Sequence, residues 1–73
     1  MDKRMEKVID AATQSPEVLV LDKGWCFDIV IPDHVTHRVF KDSGNCMVLG
    51  ELHTPIHVSA AKLRDRCGLD IQL

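Results

Sequence analysis

The segment Trp25-Cys26-Phe27-Asp28-Ile29-Val30-Ile31-Pro32-Asp33 decides the fold. Trp25, Phe27, Ile29 and Ile31 alternate with Cys26, Asp28 and Val30. A period of two is the mark of a half-buried strand, and Pro32-Asp33 ends it. Val35, His37 and Val39 then alternate with Thr36, Arg38 and Phe40, a second strand of the same kind. Asp42-Ser43-Gly44-Asn45 follows as a turn, and Cys46 to Leu52 is a further apolar run. Residues 35–52 therefore read as a hairpin.

Upstream, Met5, Val8, Ile9 and Ala12 fall at i, i+3, i+4 and i+7. That is one apolar stripe on a helix, which should stop near Gln14 because Pro16 disfavours the helical state at Ser15. Glu17 to Asp22 reads as a short buried strand. Ser15-Pro16-Glu17 is also a good helix start, but Val18 and Val20 are stiff in a helix and favour the strand. Lys23-Gly24 is a turn. Downstream, Ile56-His57-Val58 reads as a short strand. Ser59 reads as the N-cap of a two-turn helix closed by Gly68. Leu69 to Leu73 reads as a last edge strand. The expected architecture is α+β: an N-terminal helix, a mainly antiparallel sheet of three to four strands and a short C-terminal helix. The 73 residues form one domain, 1–73.

Composition narrows the function. Nine Lys plus Arg stand against eleven Asp plus Glu, a net charge of -2, which excludes a nucleic-acid binder held by overall charge. A hydrophobic share of 45% excludes a disordered tail. The N-terminus is densely charged, and no run reaches the roughly 18 apolar residues of a membrane span. Cys26, Cys46 and Cys67 are odd in number and widely spaced, so a cytoplasmic chain with reduced thiols is expected.

Motifs for catalysis are sparse. Trp25-Cys26 beside a histidine would be the nucleophile pair, but so short a chain leaves little volume for thiol, base and oxyanion site together. The carboxylates Asp28, Asp33, Asp42 and Glu51 are scattered. Gly24, Gly44, Gly50 and Gly68 stand alone, with no phosphate loop. The expected protein is non-enzymatic.

Two binding alternatives remain. His34-x2-His37 and His53-x3-His57, with Cys26 or Cys46, form a candidate zinc set, although no tight knuckle supplies two ligands. Lys62, Arg64 and Arg66 form a candidate phosphate-contacting trio for a small nucleic-acid-binding regulator. Val58 to Asp70 is similar to the first helix and turn of a helix-turn-helix unit, and such a unit reads DNA with a helix after the turn. Only Ile71, Gln72 and Leu73 follow.

The leading expectation comes from surplus apolar surface. Two short helices cover one sheet face, so Trp25, Val30, Phe40, Met47 and Leu49 cannot all enter one core. Exposed apolar surface on a small domain marks a protein interface. A patch around Trp25 and Phe40, rimmed by Asp28, Asp33, Arg38 and Lys41, is the expected partner-binding site. The expected protein is a regulator or inhibitor that masks a partner protein sterically, itself a homodimer, without a cofactor or membrane. By analogy, phages and mobile elements encode small proteins of this kind that block a host enzyme.

Overall fold

A helix opens the chain because Asp2 caps it. The computed structural model describes residues 2–48 and 51–73. In it the Arg4 amide donates to Asp2 Oδ1 at 2.8 Å, satisfying a group that helix α1 (Lys3–Gln14) cannot pair internally. Met5, Val8, Ile9 and Ala12 are the buried face of α1. The helix ends at Ser15, which is extended ahead of Pro16. Asp2→Ala should lower stability, because the Arg4 amide loses its cap. Urea unfolding reads this directly, and an unchanged midpoint would show the cap to be idle.

Five strands follow: β1 (Leu19–Asp22), β2 (Cys26–Val30), β3 (His37–Phe40), β4 (Cys46–Val48) and β5 (Glu51–Thr54). They pair antiparallel in chain order, β1-β2-β3-β4-β5. The first hairpin turns on Gly24-Trp25, with Gly24 at φ 89, a value that glycine adopts without strain. The Gly24 amide donates to Asp22 Oδ1 at 2.9 Å, and the Lys23 amide to the Cys26 carbonyl at 2.8 Å. Helix α2 (Ile56–Cys67) closes the fold. It ends at Gly68, left-handed at φ 65, whose amide donates to the Arg64 carbonyl.

Both helices pack on one face of the sheet. Met5 and Val8 from α1 and Ala60 and Leu63 from α2 meet Ile29, Val39 and Cys46 in a single core. The register puts Phe27, Ile29, His37, Val39 and Cys46 on this helix side. Leu19, Leu21, Cys26, Asp28, Val30, Arg38, Phe40 and Met47 point the other way, to a face that neither helix covers.

The structure corrects six expectations. The sheet has five strands, because the run from Cys46 divides into β4 and β5; Leu49 lies outside the described residues. The strand at 17–22 is a largely exposed edge rather than buried. Residues 56–58 are the first turn of α2, not a strand. Pro55 is the N-cap, so Ser59 lies inside the helix, and α2 runs 12 residues rather than two turns. Residues 69–73 form no strand; Leu69 and Ile71 are buried, and Arg64 Nη1 donates to the Ile71 carbonyl at 3.0 Å. Trp25 belongs with Phe40 rather than Phe27, because it is the second residue of the hairpin loop and precedes the alternating strand.

Candidate functional site

The open face has an aromatic and charged centre. Asp28 on β2 and Arg38 on β3 are directly opposite in the register. Arg38 Nε donates to Asp28 Oδ1 at 2.8 Å and Nη2 to Oδ2 at 3.0 Å. This two-pronged bond fixes the plane of the guanidinium. The Arg38 group lies 5.2 Å from the centre of the Trp25 ring, within reach of a cation–π contact. The Trp25 ring in turn lies 5.6 Å from Phe40, tilted by 33°. Below them Cys26 is fully buried, although it is no part of the helix-side core.

The electrostatics hold this group in one state. The hydrogen bonds from Arg38 keep the Asp28 carboxyl below its ordinary range, and the pair raises Arg38 further. Asp28 thus stays ionised at neutral pH, and the pair needs no outside counter-ion. Around it the surface is apolar and open. Trp25 is 59% exposed, Leu19 57% and Leu21 38%. Beside Phe40 a shallow depression is lined by Asp42, Ser43, Asn45 and His53.

Of the six residues expected at the partner surface, four are therefore together: Trp25, Asp28, Arg38 and Phe40. Lys41 lies off the face. Its ammonium is 4.4 Å from the Phe27 ring and 2.8 Å from Asp22 Oδ1, on the helix side. Asp33 sits in the turn beyond the other end of β2, with φ 64, in a depression with Glu17, His34 and Arg66. Sequence reading missed Leu19 and Leu21 as members of the face. The signal was present, since both occupy alternate positions of β1.

The candidate metal residues are dispersed. His34, His53 and His57 are exposed, while His37 is fully buried. Cys26 and Cys46 face opposite sides of the sheet, as the pairings Cys26 with Phe40 and Cys46 with Val39 require. Among the described residues no three His, Cys, Asp or Glu side chains are grouped to hold an ion. The basic trio also divides. Lys62 and Arg66 are one turn apart on α2, whereas Arg64 points to the C-terminal segment.

No family model, curated protein or solved structure matches the chain.

A second polar cluster is sealed in the core. His37 Nδ1 lies 2.8 Å from Ser59 Oγ, and both residues are fully buried. The buried Cys46 thiol has its pKa raised by burial, with Ser59 pulling weakly the other way. His37 Nε2 has no partner. The tautomer that suits this cage has Nδ1–H donating to Ser59, leaving Nε2 bare as an acceptor. Burial, with the positive charges of Arg66 and Lys62, pushes the imidazole pKa down to about 4. His37 is therefore neutral at pH 7. Cysteine, serine and histidine here are all fully buried.

Among the described residues, no helix is long and apolar enough to cross a membrane.

Proposed function

We propose that this chain is a non-enzymatic protein-binding regulator or inhibitor that masks a partner's surface with the open face of its sheet. The observation that carries the reading is Trp25: it is 59% exposed, yet its ring is fixed between Arg38 and Phe40. An aromatic ring held in place loses little freedom on binding, and Trp and Arg dominate the energetics of protein interfaces. Leu19 and Leu21 extend the apolar area, and the internally paired Asp28 and Arg38 give it a polar centre that is already satisfied. Three free cysteines, two of them buried, suit a reducing, cytoplasmic setting.

Trp25→Ala should weaken association at this face tenfold or more while costing little stability, because the residue is already 59% exposed. Phe40→Ala, which also removes the support of the Trp25 ring, should weaken it similarly. Affinity for a protein captured by the wild-type chain, set beside urea unfolding of each variant, makes the test. A loss of binding no larger than the loss of folding free energy would reduce both rings to packing.

A further inference from the structure

The sheet has two edges, and they are built differently. At β5 the ladder slips register between Cys46 and Val48, and His53 adopts φ 63. Such irregularities blunt an edge against further pairing. Edge β1 has neither. Leu19-Val20-Leu21 is an apolar run with no proline or charge inside it, and both leucines are exposed. The Lys23 amide bonds the Cys26 carbonyl, so alternation turns the amides of Leu21 and Leu19 toward β2 and those of Val20 and Asp22 outward.

We propose that this edge is the docking site for β1 of a second copy of the chain, antiparallel about a two-fold axis at Val20. The sequence Glu17-Val18-Leu19-Val20-Leu21-Asp22-Lys23 is complementary to itself in that register at every pair but Val18 with Asp22, whose carboxylate is held by Lys41. Val20 meets Val20 of the second copy as a hydrogen-bonded pair. Leu19 meets Leu21 on the open face, at the closer, non-hydrogen-bonded position. Glu17 meets Lys23 at both ends, and both are exposed. A shift by two residues would set Leu21 against Glu17 or Leu19 against Lys23. A shift by one would put opposite faces together. The product is one sheet of ten strands with two Trp25 rings on a shared face. The pairing hydrogen-bonds through the strand edge, and its Leu19–Leu21 contacts lie at the margin of the open face, leaving Trp25 and Phe40 free for a partner.

Sedimentation equilibrium of the reduced protein should give twice the 8.2 kDa chain mass at high micromolar concentration. Val20→Pro removes the amide that the axis uses twice and should raise the dissociation constant about 30-fold, two hydrogen bonds' worth. Should Val20→Pro fail to fold, Glu17→Lys, on an exposed residue outside the strand, makes the same test. It should weaken the dimer about fivefold, and an equal mixture with Lys23→Glu should restore a heterodimer. A chain that stays at 8.2 kDa throughout overturns the proposal. So does a dimer that is indifferent to Glu17→Lys but dissociates with Trp25→Ala, which would instead be a face-to-face contact.

Discussion

Lowering the pH from 7 to 4.5 is expected to remove about 2 kcal/mol of stability through His37 alone. The sign follows from where the proton binds. Unfolding releases the imidazole to its ordinary value of 6.5, whereas in the fold it titrates near 4. Between those values the unfolded chain takes up a proton that the folded chain refuses. Stability is full above 6.5 and falls as pH drops through the window, until the folded state also protonates near 4. The window is separable from the carboxylates. Asp2, Asp22 and Asp28 are shifted below 3.8, and their contributions are lost only as the pH falls below that value. A domain of this size has roughly 4 to 11 kcal/mol in total, so the loss is large. Urea unfolding at pH 7, 6, 5 and 4.5 should show it. His37→Leu combined with Ser59→Ala removes the titrating ring and its hydroxyl partner together, and should flatten the curve. A flat wild-type curve would mean that the ring already reaches water.

The larger loss should come from the apolar core on the same side of the sheet. Leu63→Ala is expected to cost about 3 kcal/mol, because the side chain is fully buried between α2 and the sheet and its removal leaves a cavity. At 73 residues that is a fall in Tm of about 15 °C. Leu19→Ala deletes the same atoms from a side chain that is 57% exposed, and should change monomer stability by about 0.5 kcal/mol or less. Thermal unfolding of the pair measures the two-sidedness of the sheet. Equal losses would mean that the open face is packed in the folded monomer, and the docking surface would disappear with it.

Patterns carried by one element were legible in the sequence. The stripe Met5, Val8, Ile9, Ala12 is the buried face of α1, and the alternations of β2 and β3 sort inward from outward residues. The C-terminal third was harder. Ile56 and Val58 are β-branched and suggest a strand, but Pro55 ahead of them fits a helix start, and tertiary packing of Ile56, Ala60 and Leu63 decides for helix. Ser59 carries the chemistry of a cap, yet it bonds His37, 22 residues away. No local pattern shows such a bond. The patch itself was half legible. Asp28, Arg38 and Phe40 come together because two neighbouring strands present alternate residues, and Trp25 joins them from the hairpin loop. Asp33 and Lys41 flank those strands in sequence and leave the face, since each follows the end of a strand.

The order β1-β2-β3-β4-β5 has a kinetic meaning. Every strand pairs with its neighbour along the chain, so no sheet contact waits for a distant segment. Closing short loops costs little entropy, and topologies of this kind fold fast. During synthesis each hairpin can zip onto the last as soon as it emerges, before α2 exists. Helix α2 takes part in no strand pairing, so the ladder does not depend on it and the helix has only to cover the core.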